Sequence, residues 1–313
     1  MAKKRYVNLD EVDSSKGIAD MLRWANERRR KVKDLSSQIP QADKKETEKL
    51  KQNQKRQSIT WIGHSTFLIQ SSGINILTDP VWARRMGVGK RITEPGLDLS
   101  ELPRIDAVVI SHGHYDHLDF GTIKKLKGDP QFIIPAGLGP LFKKRGYDDV
   151  HEAQWWETHS FGGLRFTFVP AQHWTKRTLT DTNTSHWGGW MIESPAGRNI
   201  YFAGDTGYFR GFKEIGKAFP QDIVLMPIGA YEPEWFMAVS HINPEDSITA
   251  FQELGGSLFI PMHYGAYRLA DDTGPEALLR LEAEWERLSL SRDKLKVLKI
   301  GETFWDPSPS RMG

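Results

Sequence analysis

Residues 108–117 read VVISHGHYDH, in which an apolar run is followed at once by three histidines and one aspartate. The β-branched run predicts a buried strand, and Gly113 predicts a turn directly after it. Imidazole and carboxylate groups bind zinc and similar divalent metals without any thiolate. Four ionisable groups on one turn would be costly to bury without a cation, and they are too many for one ion to hold comfortably. The segment therefore predicts two neighbouring metal ions.

Three more candidate strands each stop shortly before a potential metal ligand. These ligands are His173, Asp205 and His263. A sheet holds the side chains at its strand ends rigidly, as a metal site requires. Each residue alone would be an ordinary turn residue, but with the cluster at 112–117 the three complete two coordination shells.

The order of these groups resembles that of a known family. The pattern HxHxDH, a distant His, an Asp in a Gly-Asp turn and a last His is that of the metallo-β-lactamase superfamily, and the match runs from about Ser58 to the C-terminus. The resemblance implies an α+β fold, a four-layer αβ/βα sandwich, with two divalent metal ions per chain. Zinc is expected, although nitrogen and oxygen ligands also suit iron or manganese. The implied ligand sets are His112, His114 and His173 for one ion, and Asp116, His117 and His263 for the other, with Asp205 bridging both.

Short motifs around these ligands narrow the resemblance to one branch. They read WIGHS at 61–65, LTDP at 77–80, HYDHLD at 114–119, QHW at 172–174, GDTGY at 204–208 and PIGAYEP at 227–233, with echoes in VNLD at 7–10 and LRW at 22–24. This branch contains the N-acylphosphatidylethanolamine-hydrolysing phospholipase D and its bacterial relatives. The resemblance implies a phosphodiesterase that releases an N-acylethanolamine by attack of a metal-bridging hydroxide. A lactonase similar to the ascorbate-6-phosphate lactonases, or another small phosphodiester or ester hydrolase, is the alternative.

Four residues at or near the ligand positions are candidates for a part in this mechanism. Asp116 is predicted to orient the attacking water as well as to bind metal. Asp79 either accepts a hydrogen bond from a ligand histidine or caps a turn. His241 either gives a proton to the leaving group or merely leads into a helix near Pro244. His64 lies either near the metals or in a structural hydrogen bond.

Two further sets of residues are candidates for substrate contact. Tyr208, three residues after Asp205, either points into the pocket or packs in the core. The apolar triplet Trp235-Phe236-Met237 lies in a predicted loop, where it lines an acyl-chain groove, touches a bilayer or folds in as a plug. The expected partners are a lipid or small phosphodiester and, by peripheral contact, a membrane. The resemblance is also compatible with a homodimer.

The chain divides into a polar extension, residues 1–57, and a β-rich catalytic domain, residues 58–313. In the extension, apolar residues at helical spacing favour a helix docked on the core over a helix lying on anionic lipid. These residues are Ile18, Met21, Leu22 and Ala25. Residues 38–57 are predicted to be a linker. Predicted strands cover 59–62, 66–70, 74–77, 107–110, 132–134, 164–169, 187–193, 200–202, 223–226, 258–260 and 295–300, and the clearest helix covers 275–288.

Composition excludes several classes of protein. The 313 residues include no cysteine, which rules out disulfides and thiolate nucleophiles and fits a reducing cytoplasm. A formal net charge of +2 without a basic patch gives no indication of nucleic acid binding. No apolar run follows the basic residues at the N-terminus, so a signal peptide is not expected, and no apolar run approaches the ~20 residues that cross a bilayer. We therefore expect a cytoplasmic protein that meets a membrane only from the side.

Alternatives outside this group of hydrolases fit the sequence less well. Flavodiiron oxidoreductases share the implied fold, but their first motif carries Glu where this chain has His114, and they append a flavin domain. A non-catalytic regulator would have lost ligands, whereas this chain retains all of them. A nuclease is disfavoured because the chain lacks room for the extra domain that many nucleases of the superfamily insert.

Overall fold

The computed structural model describes residues 4–14, 16–86 and 89–307, so the two ends of the chain, 1–3 and 308–313, lie outside the described residues. The strands are β1 (Ser58–Gly63), β2 (Thr66–Ser71), β3 (Ile74–Thr78), β4 (Arg85–Met86), β5 (Gly89–Lys90), β6 (Ala107–Val109), β7 (Gln131–Pro135), β8 (Val150–Ala153), β9 (Thr158–Phe161), β10 (Leu164–Val169), β11 (Gly189–Glu193), β12 (Ile200–Phe202), β13 (Ile223–Pro227), β14 (Leu258–Met262) and β15 (Thr303–Trp305). The helices are α1 (Ile18–Arg30), α2 (Thr47–Gln52), α3 (Phe120–Ile123), α4 (Gly139–Lys143), α5 (Gly211–Ala218), α6 (Glu234–Met237), α7 (Pro244–Leu254) and α8 (Gly274–Arg287). Among the described residues, no helix is both long and apolar enough to cross a bilayer.

Two mixed sheets form the centre of the molecule. The first has seven strands in the order β15-β1-β2-β3-β6-β7-β8, and the second has six in the order β14-β13-β12-β11-β10-β9. Strands β3, β6, β7 and β8 run parallel, and so do β12, β13 and β14. Parallel strands end at the same edge of their sheet, so the loops that follow them gather there. The loops after β3, β6, β10, β12 and β14 carry Asp79 and the predicted ligands, and β10 runs in the same direction as β12 because both pair antiparallel with β11.

Both sheets are covered on both faces. Along β6, Ala107 and Val109 lie in the core between the sheets, while Val108 points to the outer core of the first sheet, as the alternation of side chains in a strand requires. Leu50 of α2 and Ile123 of α3 belong to that outer core. On the second sheet, α7 packs on β13, and α5 and α8 pack on α7. The layers are thus αβ/βα, which confirms the predicted sandwich.

Every predicted strand except the last one corresponds to an observed strand. Residues 295–300 do not form a strand, because Leu295 and Ile300 make single bridges to two different partners, Phe259 and Gln41. Both residues are buried, so their apolar pattern reflects core packing rather than a continuous ladder. The predicted helix at 275–288 is confirmed as α8.

The stretch 38–57 is not a linker. Ile39 is 5% exposed and belongs to the core between the sheets, and Leu50 of α2 is fully buried in the outer core. Gln41 forms the β-bridge with Ile300. Isolated apolar anchors among charged residues do not change the average polarity of the segment, so composition could not reveal them.

Helix α1 docks through a different face from the predicted one. Ile18, Met21 and Leu22 are exposed by 82, 49 and 66%. Trp24 instead stacks on a ring of α6, with centroids 5.0 Å apart, and its Nε1 donates to Asp271 at 3.1 Å. The prediction of docking through the apolar face was wrong, because the partners of Trp24 are distant in sequence and helical periodicity cannot detect them.

Candidate metal centre

Asp79, directly after β3, holds the loop that carries the histidine cluster. Its carboxylate accepts hydrogen bonds from the Ser111 backbone N–H at 2.7 Å and from the Ser111 hydroxyl at 2.6 Å. The same carboxylate lies 2.6 Å from His117 Nδ1. Burial raises the pKa of the Asp79 carboxyl, and the contacts with His117 and Ser111 oppose that shift. Of the two roles that the sequence left open for Asp79, the structure therefore favours the hydrogen bond with a predicted ligand histidine over the capping of a turn.

The first predicted ligand group turns three ring nitrogens toward one point. His114 Nδ1 lies 2.9 Å from His112 Nε2 and 3.2 Å from His173 Nε2. The other ring nitrogen of His173, Nδ1, lies 2.9 Å from the Ser240 carbonyl. A carbonyl only accepts, so Nδ1 carries the proton and Nε2 presents its lone pair to the neighbouring rings. Three lone pairs that converge in this way are suited to one metal ion.

The second predicted group lies directly beside the first. His117 Nε2 is 3.3 Å from His263 Nε2, and Asp116 Oδ2 is 3.4 Å from the former and 3.7 Å from the latter. Since His117 Nδ1 faces Asp79, its Nε2 is the nitrogen left to bind a cation. Two ring nitrogens that face each other at this distance can hold only one proton between them. A metal ion could bind the lone pairs of both nitrogens.

Asp205 lies between the two groups. Its Oδ2 is 3.2 Å from His117 Nε2 and 3.9 Å from His173 Nε2, while its Oδ1 is 3.0 Å from His263 Nε2. The position before Asp205 requires glycine for two reasons. Gly204 has a positive φ of +63°, and a Cβ at this position would lie only 2.6 Å from the Cβ of Ser111. The structure thus places Asp205 where a bridging ligand would be.

The protonation states of these rings fit a metal site. Burial lowers the pKa of His112 and His173 well below the ordinary value and that of His114 to about 4, so all three present lone pairs at neutral pH. Burial also opposes the charged form of His263, but contacts with two carboxylates outweigh it and raise its pKa to about 9. Metal ligands must be deprotonated, so a divalent cation would take the place of that proton. The donor set contains nitrogen and oxygen alone, which suits zinc, iron and manganese.

His64 lies beside the second group, in one of its two predicted positions. Its Nε2 is 3.0 Å from Asp116 Oδ2, and its ring centroid is 4.1 Å from that of His263. Burial lowers the pKa of His64 to about 3, so the ring is neutral. Its Nδ1 is buried and has no hydrogen-bond partner among the described residues. His64 therefore supports Asp116 through one nitrogen only.

A cavity of about 590 Å³ opens next to the ligand groups. His241 lines it, with Nδ1 3.8 Å from Asp205 Oδ2. Burial lowers the pKa of His241 to about 4, so its ring is neutral at pH 7 and can donate a hydrogen bond but not an imidazolium proton. Most of the other lining residues are bulky and apolar or cationic, namely Met21, Trp24, Trp174, Phe236, Met237, Lys16 and Lys176, and the rest are the hydroxyl-bearing Ser14, Thr182 and Ser240.

The predicted triplet at 235–237 forms helix α6 rather than a loop. Phe236 and Met237 line the cavity. Trp235 is 38% exposed and faces α1, where Arg23 lies 3.9 Å from its ring centroid and Glu27 accepts from its Nε1 at 2.9 Å. Consecutive helical residues point in different directions, so the three side chains cannot share one pocket. Trp235 therefore contacts α1 rather than lining this cavity, and its contact with substrate stays a prediction.

Tyr208 lies on the outer surface and is 36% exposed. Its hydroxyl donates to Glu253 of α7 at 2.7 Å. Burial and this carboxylate raise the pKa of Tyr208 to about 12. Tyr208 is not among the residues that line the cavity, and its exposed ring is not packed in the core, so neither of its two predicted positions is observed.

Arg177 supports the ligand loop although no sequence signal marked it. Its Nη1 donates to the carbonyls of Gly113 at 2.7 Å and Leu118 at 3.0 Å. The guanidinium also lies 4.0 Å from the ring centroid of Tyr115. Arg177 is 64 residues from Gly113 in sequence, so its role depends on a contact that local patterns cannot show.

Facing sheets with a cluster of nitrogen and oxygen ligands at their common edge define a class of metal-dependent proteins. Residues 74–264 match the family model described as the beta-lactamase superfamily domain. The chain therefore belongs to the metallo-β-lactamase superfamily.

Relatives in this superfamily include enzymes as well as proteins without a described activity. The chain is 39% identical over 244 residues to the uncharacterized protein Rv0906 of Mycobacterium tuberculosis, and the match covers 74% of this chain. The chain spans 64% of the length of that relative, which is less than two thirds. It is 39% identical over 273 residues to N-acyl-phosphatidylethanolamine-hydrolyzing phospholipase D 1 of Caenorhabditis elegans, and the match covers 80% of this chain and 75% of that protein. It is 30% identical over 251 residues to the UPF0173 metal-dependent hydrolase ABC2731 of Shouchella clausii, covering 79% and 98%. Relatives of this chain thus include proteins described as metal-dependent hydrolases.

Solved structures agree on the fold. A possible metal-dependent hydrolase from Veillonella parvula superposes with a TM-score of 0.65 at 17% identity, covering 80% of this chain and 99% of that one. At this identity the likeness extends to the fold alone.

Proposed function

We propose that the chain is a dinuclear phosphodiesterase of the phospholipase D type that cleaves N-acylphosphatidylethanolamine or a related phospholipid. The observation that carries this proposal is the apolar cavity of about 590 Å³ beside the ligand groups. Its walls suit acyl chains, and Lys16 and Lys176 suit a phosphate group. Similarity to the C. elegans enzyme supports the same class of substrate.

The protein's own residues divide the work of such a reaction. Two divalent ions, with zinc proposed, would activate water and neutralise charge on the phosphate oxygens. Asp116 is 16% exposed and accepts from His64, which leaves its carboxylate able to orient the attacking water. His241 is neutral and positioned to donate a hydrogen bond to a substrate oxygen in the cavity.

Peripheral membrane contact through α1 belongs to the same proposal. The helix exposes Ile18, Met21 and Leu22, and Met21 also lines the cavity. Lys16 lies two residues before Ile18, just ahead of the helix. An apolar helix face with basic neighbours suits the surface of an anionic bilayer, and here it would bring lipid directly to the cavity. A second copy of the chain is the alternative occupant of this face.

The test is hydrolysis of N-acylphosphatidylethanolamine in mixed micelles by metal-quantified protein, with products followed by mass spectrometry. We expect N-acylethanolamine from the wild type and at least a ~10²-fold loss in Asp116→Asn and His263→Ala, since each removes a ligand. Asp119→Asn is the matched control, because Asp119 caps α3 and Asn caps a helix equally well.

The possible failures of this test are distinguishable. About two bound metals per chain without lipid cleavage would refute the lipid substrate, and lactones and small phosphodiesters would be assayed next. One metal per chain with full activity would refute the dinuclear mechanism.

A further inference from the structure

Residues 4–14 form an N-terminal strap that lies against the loop after β10. The Tyr6 backbone N–H donates to the Asn183 carbonyl at 2.8 Å. Further along the strap, Asp10 pairs with Arg210 on the surface through contacts of 2.6 and 2.9 Å. These two contacts anchor the strap on either side of its buried centre.

Asn8 lies at that centre, 6% exposed, and uses its whole capacity for hydrogen bonds. Its Oδ1 accepts from the Trp187 indole N–H and from the His173 backbone N–H, both at 2.9 Å. Its Nδ2 donates to the His173 carbonyl at 2.9 Å and to the Val12 carbonyl at 3.0 Å. An indole only donates and a carbonyl only accepts, so these partners allow a single orientation of the amide.

The strap thereby holds the backbone of a predicted metal ligand on both sides. The N–H and the carbonyl of His173 both bind Asn8, and the Ser14 hydroxyl donates to the same carbonyl at 3.2 Å. The ring is held separately, since its Nδ1 donates to the Ser240 carbonyl. With these atoms engaged, His173 Nε2 is directed at the other rings of the first ligand group. Loss of a group that orients a metal ligand in this way typically weakens metal affinity about 10- to 100-fold.

We propose that Asn8 is a positioning residue of the metal centre and that the strap helps to hold a metal ligand, His173, in place. Asn8 touches neither metal nor substrate and acts through His173. The proposal requires metal binding by the first ligand group, but it does not depend on which substrate is hydrolysed. A titration with metal alone therefore tests it, whatever the outcome of the lipid assay.

The sharpest variant is Asn8→Asp. Its carboxylate keeps the shape and the accepting oxygen of the amide, but it places a second oxygen against the carbonyls of His173 and Val12. Asn8→Ala removes all four hydrogen bonds. We expect both variants to bind Zn²⁺ about 10- to 100-fold more weakly than the wild type in competition with a chromophoric chelator. The visible spectrum of the Co²⁺-loaded protein should change as well, because the position of a ligand ring changes.

Asp10→Asn is the matched control, because it weakens a surface anchor of the strap and leaves the Asn8 network intact. Its Zn²⁺ affinity should stay within about twofold of the wild type, as expected for an exposed ion pair. Unchanged Zn²⁺ affinity and Co²⁺ spectrum in Asn8→Asp would overturn the proposal. An equal loss in Asp10→Asn would overturn it too, since Asn8 would then act only by anchoring the strap.

Ser14→Ala decides the question if the Asn8 variants do not fold. This change removes only the Ser14 hydroxyl, and with it one hydrogen bond to the His173 carbonyl. A several-fold weaker affinity for Zn²⁺ is expected, and an affinity equal to that of the wild type would refute the positioning role.

Discussion

His186 shows how strongly burial acts on a single residue outside the metal centre. Its ring stacks on Tyr6, with centroids 4.3 Å apart, and lies 4.3 Å from the ring of Trp155. Burial, together with the charge of Lys4, lowers its pKa from 6.5 to about 3. The unfolded chain would accept a proton at this histidine near pH 6.5, whereas the folded protein excludes it. The contribution of the neutral ring to stability is therefore complete above pH 6.5 and is lost as the pH falls toward 3.

Replacement of His186 by Phe should remove this dependence on pH, because Phe keeps the ring stacking and does not titrate. Relative to the variant, the wild type should lose about 1.4 kcal/mol in free energy of unfolding for each pH unit below 6.5. Urea titrations of both proteins at pH 7, 6 and 5 measure the difference, in which the contributions of the shared metal ligands cancel. A difference that stays constant over this range would contradict the assignment.

Other single residues show which parts of the site the sequence could predict. The cluster at 112–117 was recognisable because its groups are adjacent in the chain and follow one strand. Asp205 and His263 were recognisable because each follows its own strand. The roles of Arg177 and Asn8 were not, since both act on loops far away in sequence. Such contacts are created by the fold itself and leave no local pattern.

Helices differ in how well the sequence predicts them. Helix α8 was predicted almost to the residue, because Thr273 caps it and its buried positions, Leu281 and Trp285, follow the helical period. Helix α1 has the same kind of pattern but buries none of its residues. Periodicity indicates that a helix has an apolar face, but it does not indicate what covers that face.

The exposed face of α1 leads to a prediction about membranes. Ile18→Ser combined with Leu22→Ser should weaken binding to vesicles of phosphatidylcholine and phosphatidylglycerol by about tenfold or more, since each side chain contributes on the order of 1 kcal/mol on insertion. The measurement is sedimentation with sucrose-loaded vesicles. Leu279→Ser is the matched control, because Leu279 is 67% exposed on α8.

Two results would argue against this use of α1. Equal vesicle binding by the double variant and the wild type would exclude the α1 face as the membrane contact. Conversion of a wild-type dimer to a monomer by the same changes, measured by analytical ultracentrifugation without lipid, would assign the face to a second copy of the chain.

At the scale of the whole molecule, the ligand groups join the two sheets. The cluster at 112–117 follows β6 of the first sheet, whereas His173, Asp205 and His263 follow β10, β12 and β14 of the second. Each proposed ion would therefore take ligands from both sheets. Metal binding should stabilise the sandwich as a unit, because a ligand that binds only the folded state adds its binding free energy to the stability.

Removal of metal should for this reason lower the melting temperature of the entire domain. At a free metal concentration about 1,000 times the dissociation constant, one site contributes about 4 kcal/mol. A chelator should then lower Tm by roughly 5–15 °C, as a single cooperative transition in calorimetry. Zinc added back should restore Tm, and the shift should shrink in Asp205→Asn, where the residue between both groups is altered. An unchanged Tm after verified removal of metal would mean that the sheets are held together by their apolar core alone, and that the ligands do not join them.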